Sequence, residues 1–337
     1  MKHIIFIINP ISGTQGKDSL NSLINETLDK NQFTWELINT EYAGHATEIA
    51  AEAAKNNVDI VVAVGGDGTI NEIARSLVHT KTTLAIIPYG SGNGFARHLQ
   101  VPMDTRKALD ILNTGITELV DYGKINGTSF FCTCGVGFDA FVSLKFAEAG
   151  KRGVLTYLEK TLQESLKYKP ETYELETEDG KLKYKAFLIA CGNASQYGNN
   201  AYITPQATIT DGLLDVTILE PFTVLDVPSL SFQLFNKTID QNSRIKTFRC
   251  KKLHIHRSKE GVVHYDGDPM MTGKDIYVEV VQDGLYVLTP PVKVNMISNV
   301  LHRASDYING LRALNDMIVE DITQKNKELI KKLTKKE

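Results

Sequence analysis

Residues 3–8 (His-Ile-Ile-Phe-Ile-Ile) form an apolar run that stops at Asn9-Pro10-Ile11-Ser12-Gly13, the pattern of a strand buried on both faces and its loop. Helical periodicity from Lys17 to Asp29 follows, then a short strand over 35–39, an Ala- and Glu-rich helix over 46–55 and an apolar strand over 59–64. That strand ends in Gly65-Gly66-Asp67-Gly68-Thr69, and helical spacing resumes over 69–78. Another apolar strand, 83–87, runs into Pro88-Tyr89-Gly90-Ser91-Gly92-Asn93. The β-α-β-α-β rhythm predicts an α/β domain over residues 1–125 with a doubly wound parallel sheet. Each Gly-rich loop follows the carboxyl end of a strand, where open sheets of this kind bind ligands.

From about Thr117 the pattern changes to short β-rich segments separated by Asn126-Gly127, Asp179-Gly180, Asp211-Gly212 and Asp283-Gly284. These are hairpin signals and predict a mainly antiparallel second domain over 126–290, with a last strand able to return to the first domain and the active site in the cleft between the two. Leu155, Leu158, Leu162 and Leu166 mark a helical stretch over 151–167, and a second covers Val227 to Phe235. From Val294 onward Ile297, Val300, Leu301, Ala304, Ile308, Leu311 and Ile318 keep helical spacing, so residues 291–337 read as an amphipathic helical tail. Its last 13 residues hold six lysines and two glutamates, a basic end suited to an anionic membrane surface or to a solvated helix terminus. The exposed face of such a helix could also serve a homodimer.

Length and composition fit a soluble protein of two domains: 337 residues, 42 % hydrophobic and 23 % charged. A net charge of −3 provides no field to gather nucleic acid, which is excluded as a partner. Cys132, Cys134, Cys191 and Cys250 lack CxxC spacing and read as reduced thiols. The amino-terminal apolar run is too short for a signal peptide or a membrane span. The expected location is the cytoplasm, with membranes touched only from the side.

Glycines allow the backbone close to an anion, and a helix start offers unpaired N–H donors, so the 65–69 loop has the geometry of a phosphate site. Asp67 between those glycines would repel a bare phosphate. Its presence points to bound Mg²⁺ or to a proton acceptor near a phosphoryl group, against the plainer alternative of an Asp-Gly turn. There is no GxxxxGK[ST], which argues against a P-loop kinase, and the eight histidines show no ligand spacing.

Taken in order, Asn9-Pro10-x-Ser12-Gly13, Gly65-Gly66-Asp67-Gly68-Thr69 and Pro88-x-Gly90-Ser91-Gly92-Asn93-x-Phe95-Ala96-Arg97 resemble the catalytic core shared by diacylglycerol, sphingosine and ceramide kinases. The resemblance continues through Gly135-x-Gly137-Phe138-Asp139, Asp211-Gly212-Leu213-Leu214-Asp215-Val216 and Tyr265-Asp266-Gly267-Asp268-Pro269, and so spans residues 3 to 290. It implies that ATP lies against Asn9, Pro10, Ser12, Gly13, Thr40, Gly65, Gly66, Asp67, Gly68, Thr69, Asn71 and Glu72, with Ser91 and Gly92 completing the phosphate cradle.

It further implies Mg²⁺ linked to Asp67, and a proton-accepting acid at Asp266 or Asp268, between which the residues do not choose. Most relatives carry Glu where Asp268 stands, and aspartate is one methylene shorter. A structural Mg²⁺ is implied at Thr208, Asp211 and Leu213, with a plain turn as the alternative. Asp139 is implied in recognition of the lipid head, with a surface loop acid as the alternative, and Asn93 and Arg97 stand on the substrate side. Phe138, Phe141, Val142, Leu144 and Phe146 either line a lipid cleft or belong to the core. The expected activity is ATP-dependent phosphorylation of a lipid hydroxyl. The rivals are a kinase of a soluble substrate, similar to NAD kinases or phosphofructokinases, and a nucleotide-binding regulator without turnover.

Overall fold

The computed structural model describes residues 1–12, 20–149 and 168–291, all in one compact unit. Gly13, the helix start at Lys17, the 151–167 stretch and the tail from 294 lie outside the described residues. The first lobe runs β1 (Lys2–Ile8), α1 (Leu20–Thr27), β2 (Phe33–Asn39), α2 (His45–Lys55), β3 (Ile60–Gly65), α3 (Asp67–Leu77), β4 (Thr83–Pro88), α4 (Gly94–His98) and α5 (Thr105–Thr114). Strands β2-β1-β3-β4 are parallel neighbours, as the alternating apolar runs predict. Ile4, Phe6, Val61, Val62 and Ile86 are buried between helices on both faces. Asp104 starts α5 by accepting the N–H of Lys107 at 2.9 Å.

The second lobe follows as β5 (Ile116–Ile125), β6 (Thr128–Phe130), β7 (Thr133–Gly137), α6 (Phe138–Ala149), β8 (Glu171–Thr177), β9 (Gly180–Ala186), β10 (Leu188–Gly192), β11 (Leu214–Leu219), α7 (Val227–Phe235), β12 (Ile245–Cys250), β13 (Lys252–Arg257), β14 (Gly261–Tyr265), β15 (Asp268–Thr272) and β16 (Asp275–Thr289). Strands β12-β11-β10-β7-β14-β15 form one antiparallel sheet. Its apolar face packs on β8, β13 and β16 through Cys134, Val136, Val216, Leu175, Ile255 and Ile276, so the lobe is a sandwich.

Two hairpin expectations are overturned. Asp283-Gly284 does not end a strand: β16 runs on from 275 to 289, with a register shift between Val281 and Leu285 against β5. Asp283 takes φ 51°, its N–H donates to Asp121 Oδ1 at 2.9 Å, and Gly284 lies on the Tyr122 ring, where a Cβ would come within 2.4 Å. The turn residues serve a β-bulge, and the bent strand pairs with β13 of the sandwich and then with β4 of the parallel sheet. Asp211-Gly212 likewise opens a loop before β11 rather than a hairpin. Asn126-Gly127 is a hairpin turn, and β8 and β9 also form a hairpin, with its turn at Glu178-Asp179 and Gly180 already paired with Thr177. All four cysteines are free and buried.

Candidate functional site

The Gly-rich loops after β3 and β4 meet. A Cβ on Gly90 would fall 2.6 Å from the Gly66 Cα, and one on Gly65 would collide with Thr69, so both positions demand glycine by contact rather than by φ. Tyr89 N donates to Gly65 O at 2.8 Å. The first loop joins them where Asn9 Nδ2 donates to Thr69 Oγ1 at 3.0 Å, with Ser12 Oγ on Asn9 O. Thr40 sits beside it, its N–H on Ile8 O at 2.8 Å. Helix α3 opens at Gly66 with no side-chain cap from that residue, and its amino end favours an anion.

Asp67 has a structural role that its sequence setting did not show. Oδ1 accepts the N–H of Gly94 and Oδ2 that of Asn93, each at 2.7 Å, so the carboxylate ties the loop after β4 to the start of α3. Burial pushes its pKa up, and the Gly94 and Asn93 N–H groups and the Arg97 charge pull against that. Asn93, expected on the substrate side, is buried instead, with Oδ1 accepting from Gly90 N and Nδ2 donating to Gly90 O. That amide is used up in holding an αL turn (φ 51°). Arg97 donates Nε to Gly92 O at 3.0 Å, and its outer nitrogens remain open.

Asn71, read as a nucleotide contact, points the other way. It is buried, and its Nδ2 donates to Asp266 Oδ2 at 2.5 Å, while its own Oδ1 has no partner. Asp266 also accepts the N–H groups of Phe131 (2.7 Å), Cys132 (2.7 Å) and Thr133 (3.1 Å), so each carboxylate oxygen carries two hydrogen bonds. Burial raises its pKa against those four donors. Asp268, two residues on, is exposed and makes no hydrogen bond, and the surrounding protein raises its pKa against the pull of Arg75.

Asp139 is neither a surface acid nor open to a ligand. Its side chain is 8 % exposed, with Oδ2 on Tyr197 OH (3.2 Å) and His264 Nε2 (3.1 Å) and Oδ1 on Ala140 N (2.7 Å). Gly135 makes room, since a Cβ there would fall 2.4 Å from that carboxylate. Phe138, Phe141, Tyr168, Phe187 and Phe222 stack in a chain at centroid separations of 4.6–6.1 Å, so Phe138 and Phe141 extend an aromatic cluster, while the Phe146 side chain lies outside what the structure describes.

Of the donors implied for a structural Mg²⁺, Asp211 is the one carboxylate, and it is already partnered. Asp211 Oδ1 accepts Leu213 N at 3.1 Å, and its Oδ2 faces Arg249 Nη1 at 3.6 Å, so a guanidinium already stands against that carboxylate. Thr208 is exposed, and Thr208 and Leu213 could add only a hydroxyl or backbone carbonyl oxygens. Among the described residues no group of three His, Cys, Asp or Glu side chains could hold a metal. A Mg²⁺ carried by nucleotide phosphates needs only one or two carboxylates, and Asp67 is the carboxylate that would supply one.

Other contacts carry no sequence signal. Asn199 N donates to Gly92 O at 3.0 Å, and Ser195 N donates to His98 Nδ1 at 3.1 Å, so the second lobe holds the loop after β4 from its other side. Asp121, 2 % exposed, accepts from Gly212 N and Asp283 N. A cavity of about 470 Å³ lined by Met1, Asp59, Lys81 and Thr83 lies at the amino ends of the parallel strands and contains none of the candidate residues.

Comparisons with known proteins agree with this layout. The diacylglycerol kinase catalytic domain matches residues 3–125, and the YegS C-terminal NAD kinase beta sandwich-like domain matches residues 132–295. A Klebsiella pneumoniae protein named "Probable lipid kinase YegS-like" is 30 % identical over 283 residues, covering 82 % of this chain and 92 % of that one. The diacylglycerol kinase of Bacillus subtilis is 28 % identical, covering 80 % and 90 %. A crystal structure of a diacylglycerol kinase from Bacillus anthracis superposes with a TM-score of 0.69 at 22 % identity, covering 86 % of this chain and 97 % of that one, a likeness of fold.

Proposed function

Because the chain belongs to the lipid kinase family built on the diacylglycerol kinase catalytic domain, we propose that it transfers the γ-phosphoryl group of ATP to a hydroxyl of a lipid, a diacylglycerol, a sphingoid base or a related glycerolipid. The observation that carries this reading is the Asn71–Asp266 hydrogen bond, which fastens the acid-bearing loop of the sandwich to the helix that starts at the Gly-rich turn.

In this reading the N–H groups at the start of α3, with the hydroxyl of Thr69, receive phosphoryl oxygens, and the open end of Arg97 adds positive charge. Mg²⁺, held by Asp67 and the phosphates, supplies charge neutralisation when bound. Between the two candidate acids, the hydrogen bonding favours Asp268 as proton acceptor. Asp266 has both oxygens filled and acts as the anchor of the turn, whereas Asp268 is free to meet an alcohol. No described helix is long and apolar enough to cross a membrane; in this reading the lipid acceptor is met at a membrane surface.

Incubating the protein with radiolabelled ATP and mixed micelles of candidate lipids, beside NAD⁺ and fructose 6-phosphate, tests the proposal. Label in an organic-soluble product supports it; label only in a soluble acceptor, or none at all, refutes it.

A further inference from the structure

Arg249 lies on β12, directly across from Asp215 on β11 in the sheet register. Its Nε donates to Asp215 Oδ1 at 3.0 Å, its Nη2 donates to the backbone carbonyl of Gln206 at 2.9 Å, and its Nη1 faces Asp211 Oδ2 at 3.6 Å. One guanidinium therefore stands against two carboxylates and a carbonyl, and Asp211 among them is the carboxylate that the family resemblance assigns to a divalent cation. We propose that Arg249 is the built-in cation of the 206–215 segment, filling the role that the family resemblance gives to a structural metal ion, and that this segment is metal-independent in this chain.

The surroundings show why a cation is needed there. Asp215 Oδ2 is buried without a hydrogen-bond partner, so compensation of its charge rests on Arg249. Asp211, as a second carboxylate beside it, would add repulsion if the guanidinium were absent. Burial and Asp211 both push the Asp215 pKa up and Arg249 pulls it down, in keeping with that geometry. The turn is also fixed from its other side. Gly212 N donates to Asp121 Oδ2 at 2.8 Å, and a Cβ on Gly212, at φ 69°, would strike Gln282. Arg249 and Asp121 together hold the segment between the sandwich and the strands β5 and β16 that run between the lobes.

The inference uses the family only to define what is replaced, and its readout is melting rather than turnover, so it stands or falls apart from the kinase reading. The full-length, nucleotide-free protein is melted in excess EDTA and again in millimolar Mg²⁺, as wild type, Arg249→Gln and Asp211→Asn. The expected result is a wild-type midpoint indifferent to Mg²⁺ and an Arg249→Gln midpoint lower by about 2–4 °C, the size of shift an ion-pair loss gives in a domain of this length. A wild-type midpoint that rises with Mg²⁺, with the rise abolished in Asp211→Asn, would overturn the proposal. So would an Arg249→Gln midpoint equal to the wild type. If Arg249→Gln does not fold, the wild-type and Asp211→Asn arms still decide.

Discussion

Replacing Asn71 by Leu separates the two roles this residue could have. The substitution removes the 2.5 Å hydrogen bond to Asp266 and leaves that carboxylate with three backbone donors. A hydrogen bond to an ionised group contributes about 1.5–3 kcal/mol. The same change deletes Asn71 Oδ1, a buried acceptor without a partner, and its removal returns about 1 kcal/mol. The net loss is therefore about 0.5–2 kcal/mol, a fall of up to a few degrees in melting temperature. Activity should suffer more, because the loop bearing Asp268 loses its tie to α3, and a misplacement of about 1 Å costs up to about 10²-fold in rate. The assay is initial velocity in lipid micelles over a range of ATP concentrations. A positioning role lowers kcat by about 10- to 100-fold and leaves the KM for ATP within about twofold. A KM for ATP raised tenfold or more with kcat unchanged would restore the reading of Asn71 as a nucleotide contact and refute the argument from the hydrogen bond.

Other perturbations test neighbouring parts of the site. Asp268→Asn should abolish product while a fluorescent ATP analogue still binds; full activity in that variant would remove Asp268 as the base. Because the Asp268 pKa is raised, its ionised form is lost at a higher pH than for an ordinary aspartate. The acid limb of the wild-type kcat/KM profile should thus lie above the usual aspartate range near 3.9, and a limb at or below that value contradicts the assignment. Gly90→Ala places a Cβ 2.6 Å from both Gly66 Cα and Asn93 Oδ1, so it should cost about 1–3 kcal/mol in denaturant unfolding and weaken ATP binding, detectable by titration calorimetry. Asp121→Ala strands the N–H groups of Gly212 and Asp283 and should destabilise the fold by about 2–4 kcal/mol, read from the urea midpoint.

The parallel sheet was legible because its strands are buried on both faces and leave continuous apolar runs, and the loops because glycine at three strand ends has few explanations besides close approach. Side-chain direction was not legible. Asn71 lies in the same motif as Gly66 and Asp67, yet its place one turn into α3 points it away from the loop and across to the other lobe, a turn of the helix that sequence spacing alone does not assign to a partner 195 residues away. Asp139 shows the same limit, since its setting after Gly137-Phe138 says nothing of Tyr197 or His264, which reach it from separate elements.

Asp283-Gly284 failed for a different reason: the dipeptide reports a local φ, and both a hairpin and a bulge need that φ. What decides between them is whether the following residues can remain in the ladder, and here they can, because Leu285, Val287 and Leu288 are buried in the core of the parallel sheet, beyond the sandwich. The bulge thus lets one strand serve two cores. Asp121, which receives the N–H of Asp283 on one oxygen and that of Gly212 on the other, ties the bend to the turn that Arg249 steadies. If the lobes move relative to one another during turnover, this bend is where the backbone must flex, and the Asp121→Ala variant should then alter kcat more than the KM for either substrate. Equal changes in every kinetic constant would assign Asp121 to stability alone.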